Sequence, residues 1–340
     1  MAKQKISIKD VAAKAGVHPS TVSRVLNPET RGMVSSDVAD RVTQIANEMG
    51  YARSSLAASL RTGKSFTVGV MIPDLSNPVF PPVVRGVERT LSAAGYIAIL
   101  ADSDNSQKSE QAIFDSMRTR RIDGLILATA RIEDPVVDAC VEEALPVVLV
   151  NRMTDKHDVT EVVNNDQLGI ELAVRHLVEL GHQQIALLGG PLETSTGRDR
   201  RNAFLHWGRN GLFEWSESLC VDCPSFSEVA GKTGMLRLLD QNQPFTAVVS
   251  ANDLLALGCY DALAERNLSC PGDVSVTGFN DMTFADRLSP PLTSLHIQHD
   301  ELGVRAANCL LDEIRGGVRS STPLLLDPTL IVRGSTARKN

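Results

Sequence analysis

Between Pro19 and Asn27 the chain sets out short hydrogen-bonding side chains and one guanidinium: Ser20, Thr21, Ser23, Arg24 and Asn27. On a helix, residues four apart face the same way, so Ser20 and Arg24 share a side. Such a face suits the major groove of DNA. Arg24 can grip a guanine edge with two parallel hydrogen bonds, and Ser20 or Thr21 can reach a base or a phosphate. An ordinary helical hairpin with a solvated polar face would offer the same residues, and spacing alone leaves both readings open. Other chemistry is thin. Cys220-Val221-Asp222-Cys223 has C-x-x-C spacing, but no second ligand pair or redox context accompanies it, which favours two ordinary thiols. The chain has no Walker loop, no G-x-S-x-G, no H-E-x-x-H and no spaced Cys/His set. Neither an enzyme nor a metal or cofactor site is expected.

The elements that must position the Ser20–Arg24 face are short helices. Ile8, Val11, Ala12 and Ala15 recur at i, i+3, i+4 and i+7, with Ser7 as N-cap and Gly16 as stop. A second helix runs from about Pro19, suited to a first turn, to Leu26, turning Val22, Val25 and Leu26 inward. Asn27-Pro28 ends it. A third starts at Ser35/Ser36 and is expected to bury Val38, Val42, Ile45 and Met49 before Gly50. A tight glycine turn between the first two helices is the helix-turn-helix requirement. Residues 1–50 are thus an all-α head. Residues 51–65 form a linker in which Ser54 to Arg61 can make about two helical turns, too few to be stable unaided.

Charge divides the same way. Of 340 residues, the first 64 hold ten Lys/Arg against five Asp/Glu. The head is therefore at +5 and the remainder at −12 in a chain of net charge −7. A basic head on an acidic body points to a polyanion bound at one end. The polar start lacks a signal-peptide core, and no apolar run is long enough to span a bilayer. A cytoplasmic protein without membrane contact is expected, its six scattered cysteines suiting a reducing compartment.

From Phe66 onward, apolar runs of strand length alternate with helical segments: 67–72, 97–101, 124–128, 147–150, 184–188, 247–250 and 274–279. Continuous apolar strands between amphipathic helices indicate parallel sheets with right-handed crossovers. A weak repeat, Leu91…Gly95-Tyr96 against Leu177…Gly181-His182, supports two doubly wound lobes. They are expected at about 66–162 plus 296–320, and 163–291 plus 324–334. Late crossings between them are expected near Pro290-Pro291 and Ser321-Thr322-Pro323.

The run Ile8-Lys9-Asp10-Val11-Ala12…Ala15-Gly16-Val17…Ser20-Thr21-Val22-Ser23-Arg24-Val25-Leu26-Asn27 closely resembles the head of lactose-repressor-type (LacI/GalR) regulators. The likeness continues in order through Gly50-Tyr51, Leu60-Arg61-Thr62-Gly63, Pro73-Asp74-Leu75-Ser76-Asn77-Pro78, Arg175-His176-Leu177, Asn252-Asp253 and Pro290-Pro291-Leu292-Thr293. It implies a homodimer on a near-palindromic operator, touched by Ser7, His18, Pro19, Ser20, Thr21, Ser23, Arg24, Asn27, Tyr51, Ala57 and Leu60. In the family the linker folds into a hinge helix on DNA, and a leucine matching Leu60 wedges into the minor groove; a sensor-packing role for Leu60 is the other reading. His18 replaces the usual serine cap, and Arg53-Ser54 replaces the frequent Pro-Asn. Tetrameric relatives add a C-terminal leucine heptad. Here Ala337-Arg338-Lys339-Asn340 follows soon after the last strand, so a dimer is expected.

The sensor resembles periplasmic sugar-binding proteins, with a small-molecule effector between the lobes. Motif position carries Phe80, Thr129, Asn151, Arg198, Asn252 and Asn280 into that cleft. Many relatives have Asp where this chain has Asn151 and Asn280, while Arg198 stays, with Arg152 and Arg200 near in sequence. An amide keeps the shape and one acceptor but removes the charge. The expectation is an anionic effector, a sugar acid or sugar phosphate, with a neutral sugar or nucleoside as runner-up. The competing function is a solute-binding module without a DNA role. The basic head and the missing signal peptide argue against it.

Overall fold

The computed structural model describes residues 6–26, 30–51, 63–156, 158–241 and 243–339. The chain divides into two compact units after Ser65.

In the first unit, α1 (Ile8–Ala15), α2 (Pro19–Val25) and α3 (Ser36–Met49) close around Val11, Ala12, Ala15, Val22, Val25, Ala39, Val42 and Ala46. The Asp10 carboxylate accepts from both the backbone N–H and the hydroxyl of Ser7, at 2.8 and 2.7 Å, which fixes the start of α1. Gly16, at φ 65°, supplies the left-handed stop. One expectation shifts. The centre of the α3 stripe is Ala39, Val42 and Ala46, while Val38, Ile45 and Met49 flank it half-buried. Only small residues fit where three helices meet over so narrow a core.

The second unit holds two six-stranded sheets, each with helices on both faces. The first sheet comprises β1 (Thr67–Ile72), β2 (Ile97–Asp102), β3 (Gly124–Leu127), β4 (Val147–Val150), β5 (Thr160–Asn164) and β11 (Leu324–Leu326). Its order is β11-β5-β4-β3-β1-β2, parallel throughout. The second comprises β6 (Ile185–Gly189), β7 (Cys220–Asp222), β8 (Ala247–Ser250), β9 (Ser275–Asn280), β10 (Thr293–His296) and β12 (Thr329–Ile331). Its order is β12-β10-β9-β8-β6-β7, with only β12 antiparallel. The seven apolar runs of the sequence are strands to within one residue. The five short strands β5, β7, β10, β11 and β12 have apolar stretches of three residues or fewer.

The lobe boundaries move. The chain leaves the first sheet after Asn164, returns between His296 and His299, and crosses again between Leu326 and Thr329. Residues 324–326 were expected with the second lobe. Instead Leu324, Leu325 and Leu326 register against Val162, Val163 and Asn164 in the first sheet. The late helix His299–Ile314 packs on the first lobe, against Phe80–Ala93. Two glycines set that approach: a Cβ on Gly86 would lie 2.3 Å from the Asp300 carbonyl oxygen, and one on Gly303 2.1 Å from that of Val83. Among the described residues no helix is long and apolar enough to cross a membrane. Cys220 and Cys223 are free, with thiols pushed up to about 12 by burial.

Candidate functional site

The head presents one polar face. Pro19 occupies the first turn of α2, and its N-cap is His18, whose Nδ1 accepts from the Ser20 backbone N–H at 3.3 Å. The same nitrogen lies 2.8 Å from the Ser20 hydroxyl, so cap and first contact residue are held together. Ser20 and Arg24 are exposed; Thr21 and Ser23 are half-buried beside them. The Arg24 guanidinium has no hydrogen bond or ion pair among the described residues, whereas Arg31 is committed to Asp40 at 3.1 Å. Ser7 is exposed one helix away, and Tyr51 is half-buried against the head core. Asn27, Ala57 and Leu60 lie outside the described residues. The arrangement is an exposed cation, unengaged among the described residues, flanked by hydroxyls on a helix that follows a tight glycine turn.

In the second unit, four of the six residues expected to meet do so. Phe80, Asn151, Asn252 and Asn280 line one narrow cavity of about 30 Å³. Asn151 directly follows β4, Asn280 ends β9, and Asn252 lies just past β8. Side chains at the carboxyl ends of parallel strands face the crevice where ligands collect. Asn151 and Asn280 adopt positive φ, 67° and 112°, which turns their amides toward the cavity and which a short polar residue tolerates. The Asn252 Oδ1 is spent in part on the backbone N–H of Leu255, as an N-cap at 2.9 Å.

Two expected contacts do not reach the cavity. Thr129 sits behind it: its hydroxyl donates to Glu110, and its carbonyl accepts from Arg152 Nη1 at 3.2 Å. Arg198 is held elsewhere, between Asp199 (Nε to Oδ1, 2.8 Å) and Asp155. Asp155 belongs to the first lobe, so Arg198 ties the lobes together. Two bonds act beside it: Ile132 N–H to the Glu193 carbonyl and Met153 N–H to the Ser195 hydroxyl, each 3.0 Å.

The cations lining the cavity are Arg152 and Arg200, joined by Thr196, Phe226 and Asn77. Helical phase carried the signal for Arg200: Thr196, Arg200, Ala203 and Phe204 follow i, i+4, i+7, i+8 along the buried face of the helix Ser195–Arg209, and Arg198 falls off it. Arg200 is saturated. It lies 2.9 Å from Asp166, donates to the Ala251 carbonyl at 2.6 Å, and stacks 3.7 Å over the Phe279 ring. Burial pushes the Asp166 carboxyl up to about 6 against the pull of Arg200. Arg152 is 7% exposed and makes only the bond to Thr129; its Nε has no partner, and no carboxylate pairs with it among the described residues. Burial, aided by Arg131, brings its guanidinium down to about 10, still charged at neutral pH.

A helix-turn-helix head with an exposed cation on its recognition face, joined in one chain to a two-lobed body with a polar cleft, defines a ligand-responsive transcription regulator. The family comparisons agree. Residues 7–54 match the bacterial regulatory proteins of the lacI family, and residues 174–336 the periplasmic binding protein-like domain. The ribose operon repressor of Escherichia coli (strain K12) is 32% identical over 330 residues, covering 97% of this chain and 99% of that protein. The HTH-type transcriptional repressor PurR of Erwinia tasmaniensis is 33% identical over 333 residues, covering 97% of each. Among solved structures, the lac repressor dimer bound to operator and the anti-inducer ONPF superimposes with a TM-score of 0.85 at 26% identity, covering 98% of this chain and 100% of that one. A CelR–cellobiose complex does so at 0.75 and 28%, covering 97% and 99%. The chain belongs to the LacI family of bacterial regulatory proteins. It is a DNA-binding transcriptional repressor with an effector-binding domain.

Proposed function

We propose that this repressor acts in the cytoplasm as a homodimer on a near-palindromic operator, and that its effector is an anionic small molecule, a sugar acid or sugar phosphate, held between the lobes. The observation that carries the reading is Arg152: a buried guanidinium at the cavity wall with one hydrogen bond and no ion pair among the described residues. A buried charge with no directly paired carboxylate, drawn on only from a distance by Glu110 and Glu193, is costly, and a bound anion would offset much of that cost. No carboxylate lines the same cavity; Asn151, Asn252 and Asn280 supply neutral donors and acceptors. Arg200, neutralised by Asp166, contributes geometry rather than net charge. A sugar scaffold is supported by relatives whose names or titles carry ribose and cellobiose. At the head, Ser20 and Arg24 read bases, with His18, Pro19, Thr21 and Ser23 supporting them and Ser7 and Tyr51 on the backbone.

Calorimetry of the full-length protein against matched pairs, a sugar acid and its parent aldose, tests the effector class. The acid should bind more tightly across pairs, and Arg152→Ala should weaken it about 100-fold, roughly 3 kcal/mol. Tighter binding of the neutral member, or full affinity in Arg152→Ala, overturns the reading in favour of a neutral sugar.

A further inference from the structure

A cavity larger than the cleft lies elsewhere in the second unit. About 410 Å³ opens beside the first and third crossovers, against about 30 Å³ in the cleft. The former is within the range of small-molecule sites. Its wall comes from both lobes, Met153, Val163 and Leu325 on one side and Gln167, Asn202 and Ala203 on the other. A molecule seated there would bridge the lobes where the chain passes between them.

The wall is electrically quiet. Its two carboxylates are taken: Asp166 by Arg200 at 2.9 Å, and Asp199 by Arg198 at 2.8 Å. No Lys or Arg lines it. What remains is mostly amide chemistry, with the Ser195 hydroxyl and the His206 imidazole beside it, against apolar faces. Asn164 is 4% exposed, and its Oδ1 has no hydrogen-bond partner among the described residues. Its Nδ2 donates to Asn151 Oδ1 at 3.2 Å. Among the described residues that bond leaves the Asn151 amide nitrogen without a partner, in a residue that also borders the cleft. A buried acceptor without a partner loses about 1–3 kcal/mol of solvation, which a donor on a bound molecule would recover. Side-chain amides set a donor beside an acceptor, the complement of the N–C=O and N–C–NH₂ edges of planar heterocycles. Met153, Val163 and Leu325 supply contact for the ring faces.

We propose that this hinge-side cavity is a second small-molecule site, separate from the effector cleft, for an uncharged planar heterocycle with amide- or amine-bearing edges. The inference stands independently of the effector's charge. Calorimetry of the full-length protein with adenine as probe tests it, with Asn202→Trp to fill the cavity and Arg152→Met to alter only the cleft. Adenine should bind the parent and Arg152→Met alike and lose at least tenfold in Asn202→Trp. Leu325→Trp, which fills the cavity from the opposite wall at another exposed position, should give the same loss if Asn202→Trp folds poorly. No binding of adenine to the parent protein overturns the proposal. So does binding that is abolished by Arg152→Met, or that survives both tryptophans.

Discussion

Arg24 in the head and Arg152 in the sensor are both guanidiniums without a protein counter-ion among the described residues, yet their settings are opposite. Arg24 stands in water on an exposed helix face, where holding a charge costs little and each contact with DNA is screened by salt. Arg152 is buried, where the same charge is costly until an anion arrives. The exposed arrangement suits a long polyanion read by many weak contacts; the buried one suits a single small anion held by one strong contact. Arg200 shows the usual way of keeping such a charge inside, with a carboxylate and a carbonyl already in place.

The comparison can be broken at four points. Arg200→Ala leaves Asp166 buried without its partner, and urea unfolding should show a loss of about 3–5 kcal/mol. A loss below about 1 kcal/mol would mean that water reaches Asp166 and that the cleft is far wetter than its burial implies. Arg24→Ala should cost about 1–3 kcal/mol in operator affinity and relax preference at one base pair, while stability moves by less than about 0.5 kcal/mol. Unchanged operator selectivity in a binding titration would remove Arg24 from base reading. Arg152→Met keeps the apolar stem and deletes the charge, so the effector-free protein should become more stable by about 1 kcal/mol. A destabilised variant would show that the charge is compensated after all.

The fourth test is in pH. Burial pushes the Asp253 carboxyl up to about 7, although it accepts from the Met282 N–H at 2.7 Å and the Ser294 hydroxyl at 2.5 Å. The folded state then binds this proton more tightly than the unfolded chain. The contribution to stability is full below about pH 4 and is lost as pH rises toward 7. Buried His299, lowered to about 4, slopes the other way over part of that window. The difference in melting temperature between the parent and Asp253→Asn, followed from pH 4 to 7, therefore isolates Asp253. Parallel curves would show that its carboxyl titrates at an ordinary pH.

The sequence by itself determined the kind of molecule. Ser7, Gly16 and Pro19 punctuate the head because caps and turns depend on a residue and its immediate neighbours. The seven long strands announce themselves because a parallel strand covered on both faces must be apolar along its length. Phe80, Asn151, Asn252 and Asn280 were legible through the family resemblance, and for the three asparagines the position at or just past strand ends agrees with it. Tertiary structure alone decided the rest. Leu324-Leu325-Leu326 is apolar enough for either lobe, and only the free edge beside β5 assigns it to the first sheet. Arg198 and Arg200 are two residues apart, so helical phase separates their directions. It took the packed position of that helix to show that one ties the lobes together and the other lines the cleft. Arg152 carries no mark in sequence, because whether a charge is compensated depends on carboxylates that lie far away along the chain and are either brought within reach or left out by the fold.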